Sequence, residues 1–380
     1  MTEKQSCYFC TSPFQLFAII ALANERKEEA DLYIDPQFSG AEIFAQRIEE
    51  EHIFSAVKVI DSDAIYSKYI KVGSGGSGGL INHLYIALSY CRVKKIAEMI
   101  LLPEVRYKNI FVSSKAYLPR MVQLYYIKNK WDCEISFFDD GAGTYYENRA
   151  YRISKYDKII RTILFGEKSV EMTKRRYVFS PGVYSALNPG NQMDVKGIKR
   201  FWETDNGKAT MNRIFGAYED LHIDERLIIL DQPKDELFTR DQMDEINTIY
   251  YACAEKVGIH NTVLKKHPRS TDDDLKGIPC FKEQGIPFEM YCMNLDLSKK
   301  IIVCYSSTAA VTPKILFNQE PVVIVLCKLV DPMTGEKNMF EDFFCAVKET
   351  YTEPGKVYIP NDKAELESVL ASLQYAGGSK

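Results

Sequence analysis

The sequence is poor in several features that would place it quickly. Charge of one sign is the first: 48 Lys and Arg stand against 52 Asp and Glu, a net charge of −4 over 380 residues. The pI is about 5.9. No strong field is available to hold a polyanion, so nucleic acid is not the expected partner. Long apolar runs are also missing. The first, FQLFAIIALA at 14–23, is too short to span a bilayer and reads as a buried helix. The amino terminus shows no secretory signal pattern, so the expected location is cytoplasmic, with peripheral contact at the inner face of the cell membrane left open. There are only five histidines, which makes the position of each informative. The ten cysteines suggest neither a disulfide framework nor a metal array. Most lie in apolar runs such as IIVCYSS and VVIVLCK, as buried reduced thiols do. Cys7 and Cys10 form one C-x-x-C inside the apolar run SCYFC, with no second ligand pair. Strand cysteines are favoured over a zinc or redox site there, and no metal is expected.

What is present is an alternation of short apolar strands with helices, in a chain long enough for two domains. SCYFC reads as a strand leading into a helix at TSPFQLFAII, where Ser12 can cap, Pro13 suits the first helical position and Gln15 completes a capping box. ADLYID, AVKVID, NIFVSS and EISFFDD are further strands, with helices near 41–51, 80–101 and 116–129. The second half repeats the pattern. RLIILDQP, NTVLKKHP, KKIIVCYSS, EPVVIVLC and KVYIP read as strands among helices near 239–257, 289–297, 308–317 and 363–374. The expected fold is therefore α/β, with two doubly wound, mostly parallel sheets. The expected division is a first domain over 1–180, an interdomain connection over the Gly-, Pro- and Asn-rich 181–222, and a second domain over 223–380.

Two segments stand apart. GSGGSGG at 73–79 lacks the preceding strand and the following Lys-Ser/Thr of a phosphate loop. Its regular repeat is that of a designed flexible linker in place of a native loop. Residues 149–176 mix many Lys and Arg with aromatic and aliphatic side chains. They read either as a solvated helix face or as a basic amphipathic surface for an anionic membrane or glycan.

Three polar clusters fall at predicted strand ends, where ligands bind in open parallel sheets. They are Asp139-Asp140-Gly141, His267-Pro268-Arg269 and Ser306-Ser307-Thr308. Each has an ordinary explanation: a turn, a surface histidine, a helix cap. Their coincidence at strand ends favours chemistry. A carboxylate can take a proton from an acceptor hydroxyl while an imidazolium meets a departing phosphate. Hydroxyls and N–H groups at a helix start can hold that phosphate. This is the logic of glycosyl transfer from a nucleotide sugar.

The order Asp-Asp-Gly, His-Pro, Ser-Ser resembles the bacterial sialyltransferases, and most of all glycosyltransferase family 52, which acts on lipooligosaccharide and capsule. CYFCTSPFQLFAIIALA looks like that family's opening strand and helix, and EISFFDDGAGTYY like its Asp-Asp-Gly segment. LKKHPRS, IPFEMY and VCYSSTAAV look like its His-Pro-Arg, glutamate and serine segments. The resemblance implies a GT-B fold, two Rossmann-like domains facing across a cleft, the first for the acceptor and the second for the donor. It implies a CMP-sialic acid donor, an oligosaccharide acceptor with a galactose-type hydroxyl, and inversion without metal or other cofactor. A homodimer is also expected. By the same resemblance His267 is the acid or phosphate partner, Ser306 and Ser307 are phosphate ligands beside Thr308, Glu289 binds the donor ribose, and Pro268 and Arg269 flank the donor. The base is Asp140 or Asp139 first. Asp235, in ILDQPKDELF, is second, with Asp231 the carboxylate nearer its strand end. Two other readings stay open: transfer of another sugar, such as glucose, from a different nucleotide donor, and a glycan-binding subunit without catalysis.

Overall fold

In a computed structural model the chain is α/β throughout. The structure describes residues 2–69, 88–113, 117–146, 155–166, 175–217, 221–232, 238–267, 275–283, 285–332 and 337–376. The Gly/Ser stretch at 73–79 lies outside them. Two compact units divide the chain: Met1–Pro181 with Gly190–Thr210, and Gly182–Pro189 with Met211–Lys380.

The first unit holds a seven-stranded sheet. Its strands are β1 (Thr2–Cys10), β2 (Ala30–Ile34), β3 (Ala56–Val59), β4 (Val105–Val112), β5 (Glu134–Phe138), β6 (Arg175–Val178) and β7 (Asp194–Gly197). Their order is β3-β2-β1-β4-β5-β6-β7, and every pairing is parallel. The order reverses between β1 and β4, the topological switch point at which such sheets bind ligands. Helix α1 (Pro13–Arg26) follows β1 as expected and buries Gln15 through Ala23, so its apolar run forms core. Helices α2 (Ala41–Glu50), α3 (Ser62–Tyr69), α4 (Val93–Ile100), α5 (Tyr117–Lys128) and α6 (Lys155–Phe165) connect the other strands. Cys7, Phe9, Ile96, Leu118, Val122 and Phe137 lie in one buried cluster, and each large apolar side chain so enclosed contributes about 1.5–3 kcal/mol.

β6 and β7 were not among the expected strands. β6 opens on two arginines, in the segment read as a helical or basic surface. There Arg176 is fully buried, and Arg175 pairs with Glu134 and Asp194. Arg161, on α6, is also buried and faces Asp157 at 3.8 Å. Three of the nine basic side chains at 149–176 therefore serve internal structure. β7 lies in the stretch read as a connection, yet it pairs with β6. Just after it Trp202 packs on Phe17 at 4.5 Å and on Phe179 at 5.7 Å.

The second unit holds β8 (Leu227–Leu230), β9 (Thr262–Lys265), β10 (Ile301–Cys304), β11 (Val322–Val325) and β12 (Val357–Tyr358), in the order β12-β11-β10-β8-β9 and all parallel. All five were expected. Helix α7 (Pro181–Leu187) lies where the chain first passes into the second unit; the chain returns to the first unit at Gly190, and α8 (Asp205–Phe215) spans its final passage into the second. Helix α9 (Arg240–Val257) starts from Thr239 in a complete capping box with Gln242. Helices α10 (Phe288–Asn294) and α13 (Lys363–Ala376) were expected. The expected helix at 308–317 is instead a 3-10 turn over Thr308–Val311 followed by the six-residue α11 (Thr312–Phe317), because Pro313 suits only a first turn. Helix α12 (Lys337–Lys348), whose Phe343, Phe344 and Val347 are buried, was not foreseen.

All ten cysteines are free thiols and six are buried. Cys7 and Cys10 both lie in β1. Strand residues three apart point to opposite faces, so the C-x-x-C cannot close on one ion. Among the described residues no helix is long and apolar enough to cross a membrane, and no three His, Cys, Asp or Glu side chains gather as metal ligands would.

Candidate active site

In the first unit the Asp-Asp-Gly loop leaves β5 and is pinned on every side. Asp139 is 1% exposed. Its Oδ1 accepts the Gly141 N–H at 3.0 Å in an Asx turn. Its Oδ2 accepts the Tyr145 hydroxyl at 2.7 Å and the Phe179 N–H at 3.0 Å. Burial pushes its carboxyl up to about 6, against the pull of those donors and of Arg176. Arg176 donates to the Thr144 carbonyl, and the Thr144 hydroxyl accepts the Asp140 N–H at 2.8 Å. Gly141 turns the chain at φ +88°, where a side chain would be strained. Gly143 has nothing within 4 Å of the place a Cβ would take, so the chain itself does not require a glycine there.

Only Asp140 is turned differently. It is half-buried, and its Oδ1 accepts from Gln15 Nε2 at 2.8 Å. Gln15 is held in turn. Its Oε1 accepts the Thr11 N–H at 2.7 Å and the Thr11 hydroxyl at 3.1 Å, and its own N–H donates to the Ser12 hydroxyl at 3.2 Å. The expected capping box is thus half present. Ser12 caps, but the Gln15 side chain reaches Thr11 and Asp140 in place of the Ser12 N–H. One glutamine therefore joins the turn after β1 to the carboxylate after β5, across the switch point. Sequence reasoning assigned Gln15 to capping and missed this second role. The signal was available in the placement of TSPFQ and DDG at strand ends of the same sheet.

In the second unit register does the positioning. Leu230 of β8 pairs with Lys265 of β9 and with Cys304 of β10. His267, Gln232 and Ser306 each lie two residues beyond, on three adjacent strands about 4.8 Å apart. Ser306 is buried; its N–H and its hydroxyl both donate to Gln232 Oε1, at 3.0 and 3.2 Å. Ser307 and Thr308 are half-buried, and the Ser307 side chain caps nothing. With only a 3-10 turn behind them, the helix-start component of the expected phosphate cradle is weaker than the sequence suggested. His267 is half-buried at its strand end. Asp231 is buried beside Gln232, and its N–H donates to the Lys265 carbonyl at 3.1 Å. Asp235, Pro268 and Arg269 lie outside the described residues.

Glu289 sits in the first turn of α10 and is buried. Burial raises its pKa, while its own backbone N–H and Lys265 oppose the shift. Lys265, also buried, is pushed down to about 8 by burial, with Glu289 opposing. Its ammonium stands over the Phe281 and Tyr291 rings at 5.6 and 6.0 Å, where the ring faces attract it. Sequence reasoning passed over Lys265, although it ends the strand that carries His267. A buried lysine and glutamate with opposed shifts, next to strand-end polar groups, is an arrangement typical of binding sites.

Comparison with known proteins agrees with this architecture. The family model described as alpha-2,8-polysialyltransferase (POLYST) matches residues 8–326. No curated protein sequence matches. Among solved structures, Arabidopsis thaliana UGT89C1 complexed with UDP is similar with a TM-score of 0.51 and 10% identity, over 98% of this chain and 90% of that one. The same plant protein complexed with UDP-L-rhamnose gives a TM-score of 0.50 and 10% identity, over 99% and 93%. These neighbours are GT-B glycosyltransferases, and the fold is GT-B.

Proposed function

Because the chain belongs to the alpha-2,8-polysialyltransferase family and carries the GT-B fold of glycosyltransferases, we propose that it moves sialic acid from CMP-sialic acid to a glycan hydroxyl, with inversion and without metal. The observation that carries the assignment of the base is the contrast between the two aspartates. Asp139 is enclosed, with both oxygens engaged by loop donors. Asp140 is half-buried and aimed by Gln15. In this reading Asp140 takes the proton of the acceptor hydroxyl as its oxygen attacks the anomeric carbon, and the bond to CMP breaks. His267 donates a hydrogen bond or proton to the departing phosphate, helped by the serine turn at 306–308. Glu289 holds the ribose through its acceptor oxygens, and Pro268 and Arg269 flank the donor. Asp235 is the alternative base.

Two acceptor classes fit. A galactose-type hydroxyl of lipooligosaccharide or capsule follows from the family 52 likeness and its bacterial setting. The description of the matched family favours a sialic acid already on the acceptor. The plant structures hold UDP and UDP-L-rhamnose, but at 10% identity they inform the fold and not the donor. Peripheral membrane contact is part of the proposal. It is supported by α6, where Ile159, Ile163 and Leu164 are exposed beside the exposed Lys158, an apolar patch with a basic edge. A homodimer is also retained, to be checked by light scattering.

The test is turnover. The protein is mixed with CMP-sialic acid, UDP-glucose or UDP-galactose, each with galactose-terminated or sialic acid-terminated oligosaccharides, with and without EDTA. CMP release coupled to sialylated product, unaffected by EDTA, is expected, and linkage analysis separates the acceptors. UDP release without CMP release would replace the donor. Neither transfer nor donor hydrolysis would leave the glycan-binding reading.

A further inference from the structure

Gln232 has no role in the reading above, yet it occupies the centre of the second unit's strand-end row, between His267 and Ser306. Its Oε1 accepts both the N–H and the hydroxyl of Ser306. A backbone N–H can only donate, so the oxygen end of the amide must face Ser306 and the group cannot be turned over. The NH2 end is then directed elsewhere, and Nε2 is buried with no hydrogen-bond partner among the described residues. The oxygen end, in contrast, is doubly engaged, and its two bonds to Ser306 are the role the described residues give this side chain.

What the oxygen does is divide the labour of two adjacent serines. The Ser306 hydroxyl proton is committed to Gln232, and Ser306 is only 6% exposed. Ser307 is half-buried and its hydroxyl serves no cap. We propose that Gln232 is a positioning residue for the donor phosphate. It holds the turn after β10 through Ser306, so that the hydroxyl meeting the phosphate is that of Ser307. The inference rests on the CMP-sialic acid reading and refines it.

The experiment is calorimetric binding of CMP and of cytidine to the full chain, whose affinity ratio isolates the phosphate. Wild type, Gln232→Met, Ser306→Ala and Ser307→Ala are compared. Gln232→Met and Ser307→Ala should each lower the ratio roughly ten- to hundredfold, the loss of one charge-assisted hydrogen bond, with cytidine affinity held. Ser306→Ala keeps its N–H on Gln232 and should lose severalfold less than Ser307→Ala. A purely structural glutamine would not move the ratio. Equal losses from the two serine variants, or an unchanged ratio in a folded Gln232→Met, would overturn the assignment. If Gln232→Met does not fold, the serine pair decides alone. A wild type that binds CMP no better than cytidine would overturn the donor reading, and the assignment with it.

Discussion

The two adjacent aspartates should separate cleanly when each is made asparagine. Asp139 is buried, and its pKa is raised from 3.8 to about 6. A carboxyl raised on folding holds its proton more tightly in the native state. Stability from this group is therefore complete below about pH 4 and lost as the pH rises through 6. Two pKa units correspond to about 3 kcal/mol. Asp139→Asn removes that slope. It also sets an NH2 group against the Gly141 N–H, which now donates to Oδ1, and one buried bond lost costs about 1–3 kcal/mol. The variant should be less stable than wild type at pH 4 by about that amount, and should recover relative to wild type by pH 7. Urea melts at pH 4, 5, 6 and 7 would show the difference closing. Asp140→Asn keeps an oxygen for Gln15 and should leave the melts within about 0.5 kcal/mol of wild type, while turnover falls roughly 10²–10⁴-fold. The reasoning is refuted if the pH dependence of Asp139→Asn parallels wild type, or if Asp140→Asn retains normal kcat while Asp235→Asn loses it.

Lys265, depressed to about 8 by burial, binds its proton less tightly folded than unfolded, so its contribution to stability should rise between about pH 8 and 10.5. Lys265→Met should flatten that rise in urea midpoints measured at pH 7 to 10. Gln15→Leu should lower kcat far more than it raises donor KM, since it removes one bond that aims Asp140 and alters no residue proposed to bind the donor; equal changes in both would point to general damage. Arg176→Met removes the guanidinium from the Thr144 carbonyl and should cost about 2–3 kcal/mol in urea melts. Ile163→Asp should weaken co-sedimentation with phosphatidylserine vesicles at low salt, and unchanged binding would remove α6 from any membrane contact.

How much of this was legible in the sequence follows from which forces each residue reports. Strands such as LIIL and IIVC are buried on both faces, so composition alone marks them, and their ends carry the polar clusters of the proposed site. β6 escaped because RRYV shows its charge and hides its burial. Arg176 is held inside in part by a carbonyl and a nearby carboxylate from the Asp-Asp-Gly loop, and neither is close in sequence. The same non-locality separates the two aspartates. Written side by side they are equivalent, but the residue just after β6 supplies the Phe179 N–H to Asp139, whereas α1 supplies Gln15 to Asp140. Gln15 itself looked like a cap because capping is local and its other partner lies 125 residues away. Gln232 was passed over for a related reason. A lone polar residue after a strand is ordinary, and only the parallel register of β8 and β10 brings it level with Ser306. The chemistry of the proposed site is thus spelled at strand ends, but the surroundings that distinguish neighbouring residues are set by partners that only the sheet order brings together.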